Sequence, residues 1–416
     1  MAQRPTFDPL QARGPGRLPI RLASIGEPAG AAAQPTGWAL WEMGFRPFYL
    51  LASAFAALSI GLWSLQFTGW LAQPYLRGPL WHAHEMLFGF ALAVVVGFLL
   101  TAGANWAGRS TLSGAPLAGL AALWLAGRVL VLTPWAEAAA AVNVAFPLAA
   151  AIALAIPFIA AKSRRNYFFV GLLLLLSAAV LAFHLEQLGI AAAQDLASLQ
   201  IALDVLLFTM VVMGGRVIPM FTNNGVPGAK ASRRPWLDKA ALAAVLALLA
   251  ADALQLRGWP LALLAGLAAA AHGARLALWR PWATRRVPLV WILHAGYAWI
   301  VVHLALRALA ELGLVAGSAA THALTVGAAG GLIIGMMTRT ARGHTGRPLR
   351  AGRPEVACFA LVMAAALVRV VVPLLAPAWM LQAVLLSSAL WSAAFALYFV
   401  TYFPALTRPR LVENAP

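Results

Sequence analysis

The chain has 416 residues, 62% of them hydrophobic and 10% charged, with a mean hydropathy of +0.81, which is far more apolar than a water-soluble domain of this length can hide. The net charge of +17 does not indicate nucleic acid, because Lys and Arg fall in short clusters between apolar segments and not in a stripe interleaved with exposed aromatics. The single cysteine, Cys358, excludes an intrachain disulfide and any Cys-based zinc or iron–sulfur centre, so metal chemistry has to rest on His, Met and carboxylates.

Residues 1–40 are rich in Pro, Gly, Ala and Arg, without helical periodicity and without the continuous apolar run of a signal peptide, and they read as a disordered tail. After Phe45-Arg46-Pro47-Phe48, apolar runs of about 20 residues recur to the C-terminus, each long enough for a hydrocarbon core of ~30 Å. They fall near 48–67, 85–106, 116–132, 138–160, 166–189, 196–220, 236–255, 260–279, 288–310, 319–341, 354–375 and 378–403. The pattern predicts an all-α polytopic membrane protein of about twelve transmembrane helices, with the bundle over 41–406 and a short tail over 407–416.

Orientation follows from where the positive charge sits. Arg4, Arg13, Arg17, Arg21 and Arg46 precede the first run; Lys162, Arg164 and Arg165 follow the fourth; Lys230, Arg233 and Arg234 follow the sixth. Arg280, Arg285 and Arg286 follow the eighth, Arg339, Arg342, Arg347, Arg350 and Arg353 the tenth, and Arg408 and Arg410 close the chain. The links between (68–84, 133–137, 190–195, 311–318) are nearly free of Lys and Arg, which predicts that both termini are cytoplasmic.

With that topology each histidine acquires a depth, at ~1.5 Å per helical residue. His82 and His84, in Trp81-His82-Ala83-His84-Glu85-Met86, sit at the outer end of the second run, His184 near the outer end of the fifth, His303 in the outer half of the ninth and His322 at the outer end of the tenth. His272 and His294 fall ~10 Å inside the cytoplasmic ends of the eighth and ninth runs, and His344 lies in the inner loop, so a second, inner site is geometrically open. Helical spacing places His82, Glu85, Met86, Gly89, Ala93 and Gly97 on one stripe and turns His84 to the other side. Gly327, Gly331 and Gly335 make a small-residue stripe that serves either close helix packing or room for a flat macrocycle beside His322. Arg128, Asp204 and Arg369 are intramembrane charges, explained either by ion pairing or by arginine forks that hold a cofactor's carboxylates. A lone membrane histidine is usually an interhelical contact. Four at matching depth (His82, His84, His184, His322) point to at least one metal or haem site, because imidazole is the usual axial ligand of haem iron and also suits copper.

Phe45-Arg46-Pro47-Phe48, His82-Ala-His84-Glu85-Met86, Asn105-Trp106, Phe183-His184-Leu185, Gly214-Gly215-Arg216-Val-Ile-Pro219, His272 with Arg275, Leu293-His294-Ala-Gly296-Tyr297, His322-Ala-Leu-Thr325-Val-Gly327 and Gly343-His344-Thr345-Gly346-Arg347-Pro348-Leu349 together resemble the NnrS family, in order, over about 44–375. The resemblance implies a multi-pass protein of the bacterial cytoplasmic membrane that contains haem and copper and is associated with denitrification and protection from nitric oxide. His303 lies outside these blocks. A fainter likeness is to haem-copper oxidases, in which outer histidines of helices 2 and 10 hold a low-spin haem. This chain lacks their adjacent His-His pair and the His-Pro-Glu-Val-Tyr block of helix 6, so oxygen reduction at a dinuclear centre is not implied.

These observations predict a b-type haem in the outer half of the bundle, ligated by His82 and His322. His84 and His184 follow as candidates for copper or a second axial position, Arg128 and Arg369 as propionate partners, and Met86 lies beside the cofactor. Glu85, His272, His294 and His344 complete the candidate metal ligands. The partners are the lipid bilayer, nitric oxide and an electron-transfer partner. The competing functions are a proton-coupled secondary transporter using Asp204, Glu85 and the histidines, and a metal-handling factor whose histidines carry ions in transit.

Overall fold

The computed structural model describes residues 37–67, 74–192 and 197–411. Most of the predicted N-terminal tail, with Arg4, Arg13, Arg17 and Arg21, lies outside the described residues, as do 412–416 and parts of the links at 68–84 and 190–195. Within the described residues the chain is helices and turns, with no strand. The long helices are α1 (Phe45–Phe67), α2 (Gly78–Ala107), α3 (Gly114–Leu130), α4 (Ala136–Ala160), α5 (Tyr167–Gln187) and α6 (Ala197–Gly225). They continue as α7 (Pro235–Ala253), α8 (Trp259–Leu278), α9 (Pro288–Glu311), α10 (Gly317–His344), α11 (Arg353–Leu375) and α12 (Met380–Thr407).

Among the described residues, nine of these helices are long and apolar enough to cross a membrane, which makes the chain a multi-pass membrane protein. The apolar part of α1, Phe45–Ser59, and α3 are shorter, and α7 carries Asp238, Lys239 and Asp252.

Proline sets the starts. It stands in the first turn of α2, α7, α8, α9 and α11, where its fixed φ suits the helix and its missing N–H costs nothing. Pro79 therefore starts α2 well before the predicted position 85, and Trp81, His82 and His84 sit inside the helix and not at its mouth. Gly108, at φ +61, closes α2 in the left-handed conformation that glycine adopts freely.

Burial ranks the helices. The apolar window of α2 is 78% buried and that of α10 72%, against 33% for α11 and α12, so α2 and α10 are interior elements and α11 and α12 line the outside. Helix α1 packs on α2 and α12, α9 on α6, α8 and α10, and α10 on α11. The ends of the chain are pinned to the same region. Buried Arg46 donates to the carbonyls of Leu406 (3.1 Å) and Arg408 (2.6 Å), a cation at the C-terminal end of α12 where unpaired carbonyls collect. Buried Ala39 donates to Thr407 O at 2.8 Å, and Leu411 donates to Thr345 O at 3.0 Å.

Two interior helices share an irregularity. Helix α2 winds as a π-helix over Glu85–Ala91, directly after His84, and α10 does so over Ala323–Ala329, directly after His322. Such i→i+5 turns are rare and frequently mark functional sites.

Candidate functional site

The π-turn in α2 decides what faces what. Each residue of an i→i+5 turn advances less around the axis than in an α-helix, so the predicted stripe His82, Glu85, Met86, Gly89 splits. His82 and Met86 line a cavity, together with Phe90. Glu85 leaves that face and hydrogen bonds to His84; Gly89 turns towards Arg128, whose guanidinium fills the space a Cβ would need.

The cavity has a volume of about 790 Å3 and is bounded chiefly by α2, α6, α9, α10 and α12, with Arg369 reaching it from α11. His82, His303, His322 and Arg369 all line it. The hydrogen bonds fix two of the imidazoles. A carbonyl oxygen can only accept, so His322 Nδ1, 2.7 Å from Ser318 O, carries the hydrogen and leaves Nε2 as a lone pair. By the same argument His303 Nδ1 donates to Ala320 O at 2.8 Å, and its buried Nε2 has no partner among the described residues. His82 stands 6.0 Å from the Trp63 ring, centroid to centroid. Arg369 lines the same cavity as His82 and His322, and no described carboxylate pairs with it.

Asp204 is not free. It pairs with Arg307 at 3.1 Å, and Arg307 pairs in turn with Asp252, so the buried charge is neutralised by residues of α7 and α9 that the sequence does not single out. The signal was present: an intramembrane acid demands a partner, and Arg307 lies one helical turn from His303 on the same face of α9.

The other face of α2 carries a second cluster. His84 Nδ1 is 2.7 Å from Glu85 Oε1, and the same oxygen forms an ion pair with Arg128 at 2.9 Å. Arg128 also donates to Asn143 and lies over Trp124. His84 Nε2 faces His184 Nε2 at 3.3 Å, and His184 Nδ1 is 3.0 Å from Tyr75 OH. Burial, with Glu137 nearby, pushes the Tyr75 phenol up to about 12, so it keeps its hydrogen. Since a carboxylate accepts, His84 Nδ1 carries the hydrogen and His84 Nε2 is a lone pair. His184 then donates from Nε2 and accepts from Tyr75, or, with a cation present, donates to Tyr75 and turns a second lone pair inward. Metal–imidazole bonds of about 2.0–2.1 Å across a 3.3 Å gap subtend about a tetrahedral angle, so the pair fits a small cation. Arg128, predicted as a propionate partner, is thus found on this face, held by Glu85 and Asn143 and away from the cavity lining.

The inner histidines are not brought together. Tyr297 OH donates to His272 Nδ1 (2.7 Å) and accepts from Arg275 (2.9 Å), which pairs with Asp238 at 2.7 Å. Thr222 spends its hydrogen on Ile218 O, so His294 Nε2 donates to the Thr222 hydroxyl at 2.8 Å. His344 packs on Phe45, ring centroids 5.5 Å apart. Among the described residues no three His, Cys, Asp or Glu side chains are grouped to hold a metal ion.

The glycines of α10 face α9 and not the cavity. A Cβ at Gly327 would strike Trp299, one at Gly331 would come 3.0 Å from Gly296 Cα, and one at Gly335 2.9 Å from Ile292 and Leu293. Close packing, and not room for a macrocycle, accounts for this stripe.

Compared with known proteins, residues 39–410 match the family described as NnrS protein. No curated protein matches the chain.

Proposed function

Because the chain belongs to the NnrS family, we propose that it is a haem- and copper-binding protein of the bacterial cytoplasmic membrane acting in the response to nitric oxide. In this reading it crosses the membrane twelve times, with both termini cytoplasmic, and the cavity lies in the outer half.

A haem b would be held by His82 and His322, with Arg369 beside its carboxylates. The observation that carries this is His322: its Nδ1 hydrogen is committed to Ser318 O, so Nε2 offers a lone pair in a cavity that His82 also lines, with a guanidinium that has no carboxylate partner among the described residues. A committed second nitrogen is what orients an imidazole ligand, and a roomy cavity without a compact ligand triad suits a macrocycle better than a bare ion. When bound, haem supplies one-electron and diatomic-ligand chemistry. The protein's part is to orient two imidazoles, balance the carboxylates with Arg369 and exclude bulk water by burying α2 and α10. A copper ion would be held by His84 and His184, with Glu85 and Tyr75 fixing their outer nitrogens.

The test is the absorption spectrum and metal content of purified protein: haem and copper are expected, and His322→Ala should abolish or strongly shift the Soret band. An unchanged band in that variant would overturn the ligand assignment. Arg307 and Asp252 on the same cavity, with Asp204 paired to Arg307, favour a second reading, a proton-coupled transporter, which predicts neither haem nor copper in the same preparation.

A further inference from the structure

The cavity wall formed by α6, α7 and α9 carries a charge chain that no ligand of the reading above uses. Asp204 (1% exposed), Arg307 (7%) and Asp252 (3%) are buried together, with Arg307 bridging the two carboxyls from opposite helices. Two carboxylates and one guanidinium leave one negative charge uncompensated in an apolar bundle, a state that costs several kcal/mol or more unless a counter-charge or a proton removes it. Arg257, the nearest further cation, is at 3.4 Å from Asp252 Oδ1 and has a half-exposed side chain, so water screens much of its contribution.

The detailed contacts favour the proton. Asp204 Oδ1 takes both donors, Arg307 at 3.1 Å and Gln200 Nε2 at 3.2 Å. Asp204 Oδ2 is buried with no donor among the described residues, and the Asp252 carboxyl is held on the same Arg307 guanidinium. Two buried carboxyls that share one guanidinium repel each other unless one of them carries a proton. A second group stands nearby: His303, one helical turn before Arg307, has its Nδ1 hydrogen fixed on Ala320 O and its buried Nε2 without a partner among the described residues. Glu311, the remaining acid of this wall, is engaged at its end by Gly258 N–H at 2.9 Å.

We propose that the Asp204–Asp252 pair, clamped by Arg307, is a proton-binding site in the cavity wall that exchanges with water at the Arg257 end of the bundle. Arg307 keeps the pair from taking up a second proton, since full neutralisation would leave the guanidinium buried without a counter-ion. Asp252, in contact with both Arg307 and half-exposed Arg257, is the link to the aqueous side, and His303 is the base that can receive the proton at the cavity. The site needs no macrocycle in the cavity, so its failure would leave the haem assignment untouched.

Infrared difference spectroscopy of the full-length protein in lipid nanodiscs, exchanged from H2O into D2O, tests this. Wild type is expected to show a protonated-carboxyl C=O band that shifts on deuteration. Asp204→Asn and Asp252→Asn, each checked for folding by gel filtration, are both expected to lose that band completely, because the one remaining carboxylate is already balanced by Arg307. A wild-type protein with no such band, a band that does not exchange, or a band that survives in either variant overturns the proposal. The wild-type arm decides even where a variant fails to assemble.

Discussion

The two faces of α2 use the same side chain in opposite ways. On the cavity side, His322 and His303 are each anchored through Nδ1 to a backbone carbonyl and leave Nε2 uncommitted. On the other side, His84 and His184 face each other across 3.3 Å, and their outer nitrogens are held by a carboxylate and a phenol. The first arrangement suits a large occupant that brings its own bulk; the second leaves room for nothing larger than a proton or a single ion. His84 and His184 are fully buried and His322 is half-buried, and the direction of the free lone pairs further separates the chemistry of the two clusters.

That division breaks most severely at Glu85. Glu85→Ala removes the acceptor of His84 and strands Arg128 as an uncompensated buried charge, which should cost about 3–5 kcal/mol; thermal-unfolding assays in detergent are expected to show a steep loss of folded protein, and near-wild-type stability would refute the buried ion pair. A smaller loss tests the frame that sets the two faces. At Gly296 an added Cβ would lie 2.8 Å from Leu332 N, backbone that cannot give, so Gly296→Ala should cost about 1–3 kcal/mol by forcing α9 from α10. His84→Ala sharpens the comparison chemically: copper measured by elemental analysis should fall several-fold while the Soret band keeps its intensity. Tyr75→Phe is the mildest change, removing one hydrogen bond worth about 1 kcal/mol, and should weaken metal retention slightly without altering the haem spectrum.

Hydropathy and charge alternation alone lead one to expect His82, His84, His184 and His322 at a common depth, and helical spacing alone separates His82, which lines the cavity, from His84, which faces His184. A π-turn is invisible to a 3.6-residue period and nothing in Glu85–Ala91 announces one, so helical spacing alone sets Glu85 on the cavity face, whereas it bonds His84. An intramembrane arginine signals an anion without saying which, and Arg128 is answered by Glu85. Arg307 and Asp252 lie near helix ends, where charges are ordinary, and give no signal of their own in the sequence. The glycine stripe of α10 was legible as a stripe, and only the position of α9 shows what it touches.

The sharpest test of the account sets the two faces of α2 against each other. Electron paramagnetic resonance of the oxidised, haem-loaded protein should show a low-spin ferric signal in wild type and in His84→Ala, and should lose it in His82→Ala and in His322→Ala. A low-spin signal that survives in His82→Ala and vanishes in His84→Ala would contradict the central claim that His82 faces the cofactor and His84 does not.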